Sequence, residues 1–294
     1  MRTIILSEPL PRSGLIIIYD CMLLQEKLLE LFQQKKAILA ANFYNYETLS
    51  GILQAAASLK QPVILQLSES SISYMGLMVA AAMARNAMKE YGVQAWLHLD
   101  HGSSAEMVKK CLDAGFDSIM IDASEKPFEE NIRITKEVVR LAESYRACVE
   151  AELGFVAKLG QEHTEAGFTQ PGDALKFVED TGVNSLAVAI GSAHGFYKKP
   201  PKLDIALLAS ISHRVHIPLV LHGSSGIPDE MLQEAIRNGI CKINLATETK
   251  NTFMKALQEI LKDNQEIDLR KVFPPATRKV KELIESKMQT IMNA

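Results

Sequence analysis

The stretch AWLHLDHGSS, Ala95 to Ser104, decides how this chain is read: an apolar, strand-like run ends on Asp100 and His101 and breaks at once into a glycine- and serine-rich loop. Two other runs end the same way. LAVAIGSAHG places His194, and IPLVLHGSSG places His222, where apolar residues give way to glycine and serine. Imidazoles from three distant strand exits can converge on one metal ion, and three protein ligands leave a position open for substrate, as in catalytic zinc sites.

Outward from these three points, short β-rich runs alternate with longer helical patterns. The candidate strands are AILAAN (Ala37 to Asn42), PVILQLS (Pro62 to Ser68), AWLHLD (Ala95 to Asp100), SIMIDA (Ser118 to Ala123), CVEAEL (Cys148 to Leu153), SLAVAI (Ser185 to Ile190), PLVLHG (Pro218 to Gly223) and CKINLA (Cys241 to Ala246). All read as mostly apolar on both faces, as buried parallel strands are. Between them, Tyr74 to Tyr91, Ser104 to Ala114, Phe128 to Tyr145 and Pro228 to Asn238 repeat apolar residues at three- and four-residue spacing, the helical signature. Pro228, Asp229 and Glu230 suit a helix start, and Asn238-Gly239 a stop.

Eight such units with right-handed crossovers close most economically into a single-domain α/β structure, a (β/α)8 TIM barrel. An open doubly wound sheet is the alternative, but no GxGxxG follows the first strand. Residues 22–294 are read as the barrel with a C-terminal helical tail, DLRKVFPPATRKVKELIESKMQTIMNA, whose apolar spacing suits packing on the barrel or a neighbour.

Composition excludes several classes. A formal charge of -3, with no run of Lys or Arg, leaves no footprint for nucleic acid. Cys21, Cys111, Cys148 and Cys241 lack CxxC spacing, so buried free thiols and a reducing cytoplasm are expected. Glu8, Pro9, Pro11 and Arg12 interrupt the apolar amino terminus too early for a signal peptide, and Arg85 ends the apolar run GLMVAAAMA far short of a bilayer span.

In a barrel the chemistry sits at the carboxyl ends of the strands. Here those ends offer Asn42, Ser68, Asp100 with His101, Asp122, Glu152, His194, His222 and Asn244. Each alone has a plain structural explanation as a turn residue, cap or solvated carboxylate. Together they ring one opening. His98, two residues before Asp100, reads as a satisfied interior histidine.

The same residues carry a resemblance. NFYNYE (Asn42 to Glu47), HLDHGSS (His98 to Ser104), AGFDSIMIDAS (Ala114 to Ser124), VEAELG (Val149 to Gly154), TGVNSLAVAIGSAHGFYK (Thr181 to Lys198), IPLVLHGSSGIPDE (Ile217 to Glu230) and KINLATE (Lys242 to Glu248) resemble the class II, zinc-dependent ketose-bisphosphate aldolases. The similarity runs from about Met22 to the carboxyl end. It implies cleavage of fructose or tagatose 1,6-bisphosphate to dihydroxyacetone phosphate and glyceraldehyde 3-phosphate. Physical need agrees: breaking the C3–C4 bond of a ketose leaves a carbanion, which a Schiff-base lysine or a metal must stabilise. No expected strand ends in lysine, and Lys242, opening the eighth strand, is expected to point to the opposite rim.

By the resemblance, His101, His194 and His222 hold Zn2+, Asp100 is the proton-transfer residue, and Asp122 and Glu152 serve a second or alternate metal position or orient the ligands. A second divalent or a monovalent cation is the further cofactor implied. Gly195, Gly223, Ser224 and Ser225, with Asn244, Leu245, Ala246 and Thr247, match the cradle for the substrate's phosphate and hydroxyls; Lys198 adds a positive charge, and Asn42 and Ser68 are substrate-contacting rim positions. The stretch GFVAKLGQEHTEAGFTQP corresponds to a loop that in relatives carries a glycine pair and an assisting acid. Here it is shorter and lacks the pair; Glu162 is the candidate acid, with His163 or Glu165 as substitutes. A homo-oligomer, dimer or tetramer, is expected. Residues 1–21 have no counterpart, and Met22 is a candidate natural start. An aldolase for a 6-phospho-5-dehydro-2-deoxygluconate and a non-catalytic sugar-phosphate binder are the alternatives.

Overall fold

The computed structural model describes residues 22–156, 167–197 and 200–294. Eight parallel strands, β1 (Ile38–Asn42), β2 (Val63–Ser68), β3 (Ala95–Gly102), β4 (Ser118–Ile121), β5 (Cys148–Leu153), β6 (Ser185–Val188), β7 (Leu219–Leu221) and β8 (Ile240–Leu245), form a closed barrel in chain order. The ring closes where β1 pairs with β8, Ala40 lying opposite Asn244. All eight expected strands are present, with boundaries shifted by a residue or two.

Helices fill the crossovers: α2 (Tyr46–Leu59), α3 (Glu69–Met75), α4 (Leu77–Tyr91), α5 (Ala105–Asp113), α6 (Phe128–Glu143), α7 (Pro171–Thr181), α8 (Ile205–Val215), α9 (Asp229–Arg237) and α10 (Thr247–Leu261). Local chemistry starts and stops them. Asn45 accepts from the Thr48 amide at 2.9 Å and Ser104 from that of Met107 at 3.2 Å, satisfying donors that a first turn leaves free. Gly92 and Gly182 end α4 and α7 in the left-handed conformation. The sequence pattern predicts one helix from Tyr74 to Tyr91. Instead Gly76, at φ +83°, divides α3 from α4, because no continuous helix passes through that backbone conformation.

Outward-facing strand residues such as Leu65, Leu97, Ile119, Val149, Leu186 and Ile243 meet buried helical residues including Leu53, Ala84, Val108, Val138, Phe177 and Ile236. This apolar layer, at about 25 cal/mol per Å² of area removed from water, supplies the main driving force for assembly. The tail forms α11 (Leu269–Met292), which lies on α2 and α10 and buries Val272, Ala276, Val280, Ile284 and Met288. At its contact with α2, a side chain on Gly51 would come within 2.9 Å of Val280.

The amino end of the barrel is plugged. Leu24, Leu28 and Leu31 of α1 (Leu24–Gln34) cluster with the inward-facing Ile38, Ala40, Ile64, Trp96 and Cys148, and the Trp96 indole donates to the Met22 carbonyl at 3.0 Å. With that end sealed, access to the barrel axis is from the carboxyl ends.

One expectation fails here. The strands are not apolar on both faces: Gln66, His98, Ser118, Glu150 and Lys242 project inward and are buried as a polar layer above the plug. Lys242 does not point to the opposite rim either. It lies wholly inside the barrel, with Nζ 2.7 Å from Glu150 Oε2, because the carboxylate that a buried ammonium needs is found there. Among the described residues, no helix is long and apolar enough to cross a membrane.

Candidate active site

Consecutive strand residues normally point to opposite faces, yet Asp100 and His101 both reach the opening. The cause is a register irregularity in β3, where pairing with β4 steps from Leu99–Ile119 to Gly102–Ile121. His101 takes a left-handed φ of +53° within it. Such bulges re-aim side chains beside active sites, and the conformation costs a non-glycine residue about 1–3 kcal/mol, offset by the surrounding structure. Gly102 is confined as well: a Cβ there would stand 2.7 Å from the Met120 carbonyl oxygen.

The three histidines expected to converge do so. Ring centroids lie 4.7 Å apart for His101 and His222, 5.0 Å for His101 and His194, and 5.8 Å for His194 and His222. The loops carrying His194 and His222 are joined by Tyr197, whose hydroxyl accepts from the Ala193 amide and donates to the Gly223 carbonyl, both at 2.8 Å. Gly223 has φ +66°, and a Cβ there would lie 2.2 Å from the Ala193 carbonyl oxygen. Gly223→Ala is therefore expected to lower stability by at least about 1–3 kcal/mol from backbone strain alone, read as a reduced denaturation midpoint. An unchanged midpoint would show that the two loops part without cost.

The His101 and His222 rings are held from behind. His101 Nδ1 lies 2.7 Å from Asp122 Oδ2, while Asp122 Oδ1 accepts from the Ser124 amide and hydroxyl. Asp122, named by resemblance for a second or alternate metal position or for orienting a ligand, has both oxygens engaged here, one of them by His101. His222 Nε2 lies 2.9 Å from Glu150 Oε1. With those nitrogens engaged, His101 Nε2 and His222 Nδ1 face each other at 3.0 Å.

With His101 Nδ1 and His222 Nε2 protonated toward Asp122 and Glu150, the two facing nitrogens are lone pairs that a proton or a cation bridges. Burial holds His222 well below its ordinary pKa, helped by the charges of His101 and Lys242, so it is neutral. Burial opposes a charge on His101 too, but Asp100, Asp122 and Glu152 outweigh it and raise the ring to about 9. A proton on His101 then fills the gap, and a divalent cation would displace it. Glu152 completes the set: its ligand atom and one from each of the three histidines lie within 4.8 Å of one another. Its Oε2 is buried without a hydrogen-bond partner, and burial together with Asp122 pushes the carboxyl up to about 8. Three imidazoles, a buried carboxyl group with an unsatisfied oxygen and facing lone pairs that need a positive charge fit a zinc ion.

Asp100, beside the cluster, accepts from Asn42 Nδ2 at 2.8 Å, Gln66 Nε2 at 3.1 Å and Asn244 Nδ2 at 3.4 Å. Burial would raise its pKa, but the charges of His101 and Lys242 and the Asn42 hydrogen bond lower it, so it stands ionised as an acceptor of protons.

The family described as Fructose-bisphosphate aldolase class-II matches residues 24–294. The chain belongs to that family. It is 43% identical over 274 residues to the fructose-bisphosphate aldolase of Geobacillus stearothermophilus, covering 90% of this chain and 95% of that one. It is 40% identical over 253 residues to the D-tagatose-1,6-bisphosphate aldolase subunit GatY of Klebsiella oxytoca, covering 84% and 89%. Among solved structures, the YdjI aldolase from Escherichia coli K12 superposes with a TM-score of 0.81 at 34% identity, covering 92% of this chain and 97% of that one.

In this class-II aldolase chain the opening beside the histidines is lined by Asn42, Asp100, Gly195, Gly223, Ser225, Asn244, Ala246 and Thr247, most of the expected substrate positions. Three others do not line it. Ser68 is the N-cap of α3, Ser224 is buried and donates to the Asn244 carbonyl, and the Leu245 side chain packs in the outer apolar layer. Glu162, His163, Glu165 and Lys198 lie outside the described residues. His98 is an interior histidine as expected, its Nδ1 2.8 Å from Ser118 Oγ. Gln66, Glu150 and Lys242 were not anticipated, although each stands two residues before a rim position already singled out and so shares its face.

Proposed function

We propose that this aldolase-family chain reversibly cleaves fructose 1,6-bisphosphate or tagatose 1,6-bisphosphate to dihydroxyacetone phosphate and glyceraldehyde 3-phosphate, with zinc at the histidine cluster. The carrying observation is the juxtaposition of a cation site with an ionised, triply hydrogen-bonded aspartate. Asp100 Oδ1 lies 3.9 Å from His101 Nε2, so a proton acceptor and a charge sink serve the same small volume.

Zinc bound there supplies a Lewis acid for the negative charge that develops on the substrate's ketone oxygen. Asp100 takes the proton of the C4 hydroxyl as the C3–C4 bond breaks, and returns it to the aldehyde oxygen in condensation. The amides of Asn42, Gln66 and Asn244 keep that carboxylate fixed and directed, so little reorganisation accompanies the transfer. Gly195, Gly223 and Ser225 leave room for a phosphate beside Thr247, where the first turn of α10 presents amides and the positive end of its dipole. Lys198 and Glu162 are proposed for phosphate binding and proton transfer on the strength of the resemblance. Free thiols at Cys111, Cys148 and Cys241 fit a cytoplasmic setting.

Coupled cleavage assays on both bisphosphates test the reading. Activity is expected to fall at least tenfold with chelator and to return with zinc, and the ratio of the two kcat/KM values identifies the preferred sugar. Tight sugar-phosphate binding without turnover would replace this proposal with a non-catalytic binder.

A further inference from the structure

We propose that Lys242, acting through Glu150, fixes which nitrogen of His222 carries its proton and thereby sets the affinity of the histidine cluster for a divalent cation. The identity of the ion as zinc rests on the aldolase reading; the positioning role does not.

The hydrogen-bond directions inside the barrel are set by its shortest contacts; Asn244 Nδ2, 3.2 Å from His222 Nε2 and 3.5 Å from Nδ1, is too nearly equidistant to choose between the two nitrogens. Ser118 Oγ donates to the Cys148 carbonyl at 3.1 Å, so its lone pair accepts from His98 Nδ1 at 2.8 Å. His98 Nε2 is then an acceptor, and the group facing it at 3.5 Å is Lys242 Nζ, which can only donate. The same ammonium lies 2.7 Å from Glu150 Oε2. Paired in this way, Glu150 is an acceptor on both oxygens, so the proton in the 2.9 Å contact between Glu150 Oε1 and His222 Nε2 belongs to the imidazole. His222 Nδ1 is left as a lone pair directed at the cluster, 3.0 Å from His101 Nε2. His98, Glu150, His222 and Lys242 are all at most 1% exposed, so no solvent relaxes these assignments. Lys242 touches no part of the opening. It is a positioning residue two hydrogen bonds removed from the ligand atom.

In Glu150→Gln, Lys242 still requires an acceptor and claims the amide oxygen, turning the amide N–H toward His222 Nε2. That nitrogen must then accept, and the ring proton moves to Nδ1, where it blocks the cluster. Zinc affinity is expected to fall about 10–100-fold, the scale found for partners that orient metal-binding histidines. Adding Lys242→Met removes the competing donor, lets the amide turn its oxygen to His222, and is expected to recover most of the loss.

The test is the zinc dissociation constant of the purified full-length protein, measured without substrate by competition with a chromophoric chelator, for wild type, Glu150→Gln and Glu150→Gln/Lys242→Met. Weak binding in the single variant with recovery in the double supports the proposal. Wild-type affinity in the single variant, or a double no tighter than the single, overturns it. Should the single variant fail to fold, 15N-histidine spectra of metal-free wild type decide: His222 protonated at Nε2 is the expected tautomer, and protonation at Nδ1 refutes it. None of these readouts depends on turnover, so failure of the aldolase reading and failure of this one are separable.

Discussion

Asp100→Ala is expected to retain its zinc and lose turnover by about 10²–10⁴-fold, the usual contribution of a positioned acid or base. The carboxylate is not one of the clustered donor atoms, which come from His101, Glu152, His194 and His222. Removing it should therefore leave the cation site in place while abolishing the acceptor that Asn42, Gln66 and Asn244 are arranged to hold. Those amides become free to bind water, so folding is expected to survive. The comparison is between kcat for the bisphosphate and metal content of the same preparation. Cleavage at the wild-type rate would remove Asp100 from the reaction.

His222→Ala should do the opposite, abolishing activity through the metal. It deletes a ligand atom at the centre of the cluster, and even loss of a partner that only orients a ligand costs about 10–100-fold in affinity, so a fall beyond about 100-fold is expected. Glu150 keeps its ion pair with Lys242 at 2.7 Å, which spares the variant an unpaired buried charge and keeps the barrel intact. Chelator competition on folded protein reads the result. Stoichiometric zinc held with wild-type affinity would show that His222 is not a ligand. Together the two variants separate proton transfer from ion binding, which activity alone would confuse.

Much of this site is legible in the sequence alone. Strand exits at His101, His194 and His222 could be read because each apolar run stops abruptly at glycine and serine, and the barrel followed from eight such alternations. What could not be read depends on distance in sequence or on backbone geometry. The left-handed turn at His101 carries no local signature beyond the glycine that follows it, yet without it Asp100 and His101 would face opposite ways. Tyr197 joins two loops across 26 residues, a contact that periodicity does not announce. The inner polar layer was hidden for a different reason. Gln66, Glu150 and Lys242 sit in runs rich enough in aliphatic residues to pass as apolar throughout, and their own partners neutralise them only once the barrel has closed. Period-two counting back from Ser68, Glu152 and Asn244 would have found all three.

The ion pair at the barrel's centre also bears on how the sheet aligns itself as it forms. In β8, Lys242 stands opposite Val220, and its neighbour Ile243 opposite Leu221. Were β8 to slip by a single position, the ammonium would rotate into the greasy shell beneath the helices and Ile243 would take its place against Glu150. Two stranded ions cost several kcal/mol each, a penalty comparable with the whole margin by which a domain stays folded. Lysine and glutamate thereby act as a key cut for one threading of the ring, discarding misaligned closures that eight aliphatic strands alone would tolerate.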